Sequence, residues 1–177
     1  MPVAPRRAIL LSAEDQAVVG RLVAWIADTT DEAHVFDATV RLVASVVGSS
    51  LVKILEYRSG SAELLVRAGV GWQAGIVGIA TVPASSASQA GFTLRNGEMI
   101  VVDDVARTRR FTDAGILRAH GAVSGFSVPL QIDGATIGVL SVHDTKRRHY
   151  STAELNLASE IATVVGLRLS ELRRNGV

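Results

Sequence analysis

Apolar residues recur at helical spacing near both ends of the chain and form strand-like runs between them. Ser12 can begin a first helix over about 12–28, because its hydroxyl can accept a hydrogen bond from a free N–H group of the first turn. A second helix follows and ends at Gly48. The last helix, over about 151–174, carries two apolar stripes. The pattern therefore predicts helices at both chain ends around a strand-rich middle.

The middle of the chain combines strand-type runs with turn-forming residues. Residues 51–57 and 62–68 flank a tetrad with Gly and Ser, so they are predicted to form a hairpin. Further short elements are predicted in this order: a strand at 79–82, a helix at 87–95, a strand at 99–102, and a helix that starts at Thr112 or Asp113 and ends at Gly121.

The run VSGFSVPLQIDGATIGVLSVHD at 123–144 is the strongest local signal, since two apolar runs flank Asp133-Gly134. A type I′ turn needs positive φ at both central positions, which favours Asp-Gly. Such a turn would pair Leu130 with Ile137 and direct both toward the helices.

The opposite face of this hairpin would carry Ser127, Leu140 and Val142, a mixture of polar and apolar side chains that suits a ligand pocket. Gly138 would allow either a ligand or a packed segment to approach the backbone closely. A β-bulge would exchange the two faces.

Runs of strands with helices gathered at the chain ends favour an α+β domain with an antiparallel sheet. The stretch at 123–155 joins the hairpin to a basic loop and to a helix that Ser151 and Glu154 begin with a capping box. Together with GFTLRNGEMIVVDDVARTRRF at 91–111, it resembles the GAF domain, a small-molecule sensing module of bacterial signalling proteins. The resemblance covers roughly residues 30–172.

The resemblance implies a PAS-related antiparallel sheet of five to six strands. The N- and C-terminal helices would lie on one face, and short helices and loops would enclose a pocket on the other. We therefore expect a flexible lead-in over 1–11 and a single GAF-like domain over 12–175.

The function implied by the resemblance is that of a non-enzymatic sensory domain, which binds a small molecule and signals through its terminal helices. The output partner would be an attached or cognate domain, such as a histidine kinase of a two-component system. Free methionine sulfoxide reductases resemble GAF domains too, but they work through cysteines, and this chain has none. The predicted ligand-binding residues are Phe92, Asp103, Arg110, Phe111, His120, Ser127, Leu140 and Val142.

Two of these residues have a competing interpretation. Asp103 with its neighbour Asp104 also suits a turn, whereas Arg110 beside Phe111 suits an anion clamp against an apolar wall. His120 ends the short helix before the hairpin. A GAF subgroup holds haem through a histidine in about this place, so a haem-based gas or redox sensor is the alternative function. The simpler interpretation is that His120 terminates a helix favourably.

The last helix repeats apolar residues with the spacing of a coiled-coil seam. We expect a homodimer through this seam, which consists of Leu155, Ala158, Ala162, Val165, Leu169 and Leu172. Alternatively, the first helix of the same chain covers both stripes. A third possible function is a dimerisation scaffold that binds no ligand.

Composition narrows the partners. The formal net charge is +1 with interspersed signs, so neither nucleic acid nor an anionic membrane is an expected partner. No apolar run reaches the length of a membrane span, and we expect a cytoplasmic location. The four histidines show no metal-binding spacing, and no metal or other cofactor is expected.

Overall fold

The computed structural model of the chain describes residues 11–112 and 115–176. The elements are α1 (Ala13–Ile26), α2 (Glu32–Val47), β1 (Leu51–Arg58), β2 (Glu63–Val70), β3 (Thr81–Pro83), α3 (Gln89–Asn96), β4 (Ile100–Val102), α4 (Gly115–Ala119), β5 (Ser124–Ile132), β6 (Ala135–Asp144) and α5 (Thr152–Asn175). Their order agrees with the predicted one. The predicted lead-in up to residue 10 and the predicted helix start at 113 lie outside the described residues.

Local sequence signals set the helix ends. Ser12 and Ser151 form capping boxes with Asp15 and Glu154, so side chains satisfy backbone N–H groups at both starts. Gly48 ends α2 in the left-handed conformation at φ 67°, which a glycine adopts without steric penalty.

One antiparallel sheet forms the centre of the fold, with strand order β3-β2-β1-β6-β5-β4. Helices α1, α2 and α5 pack together on one face, which we call the helix face. Helices α3 and α4 cover the other, which we call the cavity face. This is the predicted α+β architecture. Among the described residues, no helix is long and apolar enough to cross a membrane.

The β5–β6 hairpin turns at Asp133-Gly134 as predicted, with φ of 49° and 82°. Its predicted register is wrong, because Ile137 is an extra residue: Leu130 pairs with Gly138, and Gln131 pairs with Thr136. A bulge of this kind reverses the facing of every residue that follows it. Residues 138–144 of β6 therefore point opposite to the predicted direction.

The bulge moves Leu140 and Val142 to the helix face, so their predicted place beside the ligand is wrong. Both are fully buried in the apolar core between the sheet and the terminal helices. Gly138 serves packing between strands, since a Cβ there would lie 2.3 Å from the carbonyl oxygen of Leu55.

The predicted dimer seam of α5 is used inside the chain. Its four central residues are at most 2% exposed and belong to the core of the helix face: Ala158, Ala162, Val165 and Leu169. Leu155 and Leu172 are partly buried against the same core. Leu157 and Ile161 of the second stripe are also buried, and the cover of α5 consists of β5 and α2 as well as the first helix named in the alternative.

Candidate functional site

A cavity lies between the cavity face and the two short helices. Its volume is about 50 Å³, which corresponds to room for about four water molecules. Strands supply Lys53, Thr81, Val82, Pro83, Ser127, Ser141 and His143, and the helices with their caps supply Ser88, Gln89, Ala90, Gly115, Ile116 and Leu117. The site thus combines apolar walls with converging polar groups, as small-molecule sites do.

A chain of buried hydrogen bonds crosses the cavity face. The Gln89 amide nitrogen donates to the Ser127 hydroxyl oxygen at 3.0 Å, and that oxygen lies 3.2 Å from the Ser141 hydroxyl. The Gln89 amide oxygen lies 3.2 Å from Nε2 of His143. Because an amide oxygen only accepts, Nε2 of His143 carries the donated proton.

His143 is held as a neutral imidazole. It is 1% exposed, and burial together with the nearby Lys53 lowers its pKa well below the usual value of 6.5. Its Nδ1 atom is buried and has no hydrogen-bond partner. An unpaired buried acceptor is costly in a packed interior, so it marks a position where a ligand or water would add a bond.

Lys53 is the most unusual residue of the site. It is 2% exposed, lies opposite Ser141 across β1 and β6, and sits between Val52 and Ile54, which face the helices. Burial lowers its pKa to about 7. Its Nζ atom lies 4.0 Å from the ring centroid of Trp72, and no ion pair joins it to a carboxylate within the described part of the chain.

Trp72 and the predicted ligand residue His120 pack against each other beside Lys53, and neither of them lines the cavity. The Trp72 indole N–H donates to the Val52 carbonyl oxygen at 2.8 Å, and its ring meets His120 edge-on at 4.9 Å. Nε2 of His120 accepts from the Gln73 N–H at 3.2 Å, and Nδ1 lies 2.8 Å from the Ile116 carbonyl oxygen. Both ring nitrogens are therefore occupied, which favours the helix-terminus interpretation over haem ligation.

Three other predicted site residues lie together, but beside the cavity. The Arg110 guanidinium stacks over Phe92 at 3.9 Å and over Phe111 at 5.8 Å, and the two rings meet edge-on at 6.1 Å. None of the three lines the cavity. Asp103 is exposed and lies 3.7 Å from His149. The short helix α4, which was predicted to help enclose the pocket, does line the cavity. Ser127 is the one predicted strand residue that lines it.

The polar residues that sequence reasoning missed are Lys53, Gln89, Ser141 and His143. A usable signal existed for Lys53, because it is a single charge inside the apolar run LVKIL of a predicted strand. The bulge in β6 turns Ser141 and His143 toward the cavity, and Gln89 reaches His143 from α3, which is distant in sequence. Among the described residues, no cluster of three or more His, Asp or Glu side chains could hold a metal ion.

Comparison with known proteins identifies the family. The sequence model of the GAF domain matches residues 31–169, so the chain belongs to the GAF domain family. A search of curated proteins gave no match.

Solved structures show the same fold. The GAF domain of an Acinetobacter phosphoenolpyruvate-protein phosphotransferase is similar with a TM-score of 0.80 at 17% identity, over 94% of this chain and 99% of that one. The free methionine-R-sulfoxide reductase of Neisseria meningitidis, solved with its substrate, gives 0.77 at 24% identity over 96% and 99%. A phycoerythrobilin-bound GAF domain of a cyanobacterial phytochrome gives 0.75 at 19% identity over 94% and 100%. Sensory proteins and an enzyme therefore share this fold.

Proposed function

We propose that this GAF domain is a non-enzymatic sensor that binds a small molecule in the cavity between the sheet and helices α3 and α4. The observation that supports this proposal most directly is a cluster of buried polar side chains that line the cavity: Lys53, Gln89, Ser127, Ser141 and His143. Burying a lysine and an unpaired imidazole nitrogen disfavours folding, so these groups suit recognition better than stability.

A non-enzymatic role is supported by the chemistry of the residues present. Free methionine sulfoxide reductases, which share this fold, work through cysteines. This chain has no cysteine. The Ser127 hydroxyl contacts Ser141 and Gln89, and no hydrogen bond joins the hydroxyl of Ser127 or Ser141 to a histidine among the described residues. A serine without an adjacent base is a weak nucleophile.

Signal output in this proposal passes through the sheet to the terminal helices. β1, β5 and β6 contribute residues both to the cavity and to the apolar core under α1, α2 and α5. A ligand that shifts these strands would repack the helices, which would transmit the change to an attached or cognate kinase or other output domain. A cytoplasmic location stays a prediction from the sequence.

A homodimer stays part of the proposal, but with another contact surface. The large apolar side chains that the terminal helices expose, among the described residues, are Val23, Trp25 and Leu167, at 46%, 53% and 63% exposure. Light scattering of wild type and Trp25→Glu tests this surface. A dimer that the variant converts to a folded monomer supports it, and a dimer that both proteins form equally contradicts it.

The ligand-binding proposal is tested by filling the cavity. Protein purified without denaturation should carry or bind a small metabolite, detected by mass spectrometry of the extract and by a rise in melting temperature. Ser127→Leu should abolish this binding, because the added side chain occupies the cavity. Ser45→Leu, the same change at an exposed position of α2, should bind as wild type does. A ligand that Ser127→Leu retains in full would contradict the proposal.

A further inference from the structure

We propose that the cavity takes a small organic carboxylate, whose anionic group is held by the Lys53 side chain. This inference rests on the proposed function and specifies the chemical class of its ligand. It is carried by the charges that line the cavity, by the burial of Lys53 and by the groups around it.

The cavity contains a cation and lacks an anion. Its described lining includes Lys53 and His143 as titratable side chains, and no Asp or Glu. Lys53 also forms no ion pair among the described residues, and its Nζ atom lies 4.0 Å from the ring centroid of Trp72. Buried charges in proteins are paired, and a ligand carboxylate would supply the partner that the chain does not.

Neutral hydrogen-bonding groups surround the same position. Ser141 lies opposite Lys53 on the neighbouring strand, and its hydroxyl is paired with that of Ser127. The first turn of α3, which Ser88 caps, also lines the cavity, and the start of a helix favours negative charge. These groups can bind a carboxylate without adding further charge.

The size and charge of the site favour a monoanion. One lysine can neutralise one negative charge, whereas a phosphate dianion would leave a second charge buried without a partner. The volume of about 50 Å³ also requires a compact molecule. Short-chain carboxylates meet both conditions.

Binding of such an anion should be linked to proton uptake. Burial holds the Lys53 pKa at about 7, and a carboxylate beside it would raise that value. The affinity should therefore rise as the pH falls from 8 to 6 and level off below that. Other titratable or charged side chains on the elements around the cavity include His143, whose pKa burial lowers well below its usual value, His120 after the end of α4, and Arg95 of α3, which donates to the Ala84 carbonyl oxygen.

The test uses matched probes that differ in charge. Acetate, propionate and lactate are titrated against their amides into isotope-labelled protein at millimolar concentration, and the amide resonances of Ser127 and Ser141 are followed. The carboxylates should bind about tenfold more tightly than the amides, and about tenfold more tightly at pH 6 than at pH 8, as a lysine with a pKa of about 7 requires. Lys53→Met should remove both preferences.

Lys146→Met is the control, because it makes the same change at an exposed lysine and should leave both preferences intact. Amides that bind as tightly as carboxylates, carboxylate binding that survives in Lys53→Met, or no carboxylate binding at any of these pH values would each overturn the inference. None of these results would overturn the sensory function, which is judged separately by whether Ser127→Leu loses the metabolite bound by wild type.

Discussion

The two faces of the sheet are built on opposite principles. On the helix face, apolar side chains from the sheet and from α1, α2 and α5 close into one continuous core. On the cavity face, two smaller apolar clusters under α3 and α4 flank a group of buried polar side chains. The comparison indicates that the helix face supplies the stability that allows the cavity face to keep groups suited to binding.

The bulge at Ile137 produces this division. It places Leu140 and Val142 in the core of the helix face and turns Ser141 and His143 toward the cavity. Lys53 follows the same rule on β1, where Val52 and Ile54 point to the helices. Alternate residues of two neighbouring strands thus face the apolar core and the polar cavity respectively.

The largest effect should come from placing a charge in the helix face. Ala162→Glu should lower the free energy of unfolding by about 4 kcal/mol or more, because the site is 2% exposed and offers no partner for a carboxylate. Urea unfolding followed by circular dichroism measures this. Ala153→Glu, the same change at an exposed position in the first turn of α5, should change stability by about 0.5 kcal/mol or less. A stable, folded Ala162→Glu monomer would restore the seam as a contact between copies.

Removing the charge of Lys53 on the cavity face should stabilise the protein. Lys53→Met should raise the free energy of unfolding by about 3 kcal/mol at pH 6, where the native state of the wild type must bury an ammonium group. The native pKa of about 7 lies below that of the unfolded chain, so wild-type stability rises with pH between the two values. The gain should therefore shrink as the pH rises from 7 to about 10.

Denaturant unfolding across this pH range measures the difference, with Lys146→Met as the exposed control. A gain that does not depend on pH would show that Lys53 is not buried as a titrating group.

His143 should make the fold sensitive to acid. The native state holds the imidazole neutral, whereas the unfolded chain takes up a proton below about pH 6.5. Stability should therefore fall by about 1.4 kcal/mol per pH unit below that value. His143→Gln should flatten this slope, and His34→Gln at an exposed position should not. Equal slopes in wild type and His143→Gln would contradict the neutral buried imidazole.

The smallest expected effect concerns His120. His120→Ala removes the bond to the Gln73 N–H and the edge contact with Trp72, so it should destabilise the segment around α4 by about 1 kcal/mol. Faster hydrogen exchange of the α4 amides would report this. Expression with added haem should give no Soret band in wild type, and a stoichiometric band that disappears in His120→Ala would favour the haem sensor instead.

Local signals in the sequence predicted much of the fold. The capping boxes at Ser12 and Ser151 and the Asp133-Gly134 turn each act within a few residues, so the elements they define could be located in advance. The bulge could not be located, because it depends on how β6 packs between β1 and β5. The spacing of apolar residues in α5 could not show whether they pack within the chain or against a second copy. A helix on a sheet and a helix in a coiled coil both bury apolar residues at this spacing.

The candidate site was less predictable than the fold. Gln89 meets residues that are 38 and 54 positions away in sequence, and such contacts leave no local pattern. The predicted residues Phe92, Arg110 and Phe111 do contact one another. They lie close in sequence, since Phe92 is in the helix that precedes β4 and the other two are in the segment that follows it. They pack beside the cavity rather than lining it.

The most direct test of the central claim is a crystal structure of the protein with the metabolite that it binds. We expect electron density for the molecule between the sheet and helices α3 and α4, in contact with Lys53, Ser141 or His143. Density on the helix side, in the groove between α1 and α2 lined by Trp25 and Arg41, with the cavity face packed shut, would contradict it.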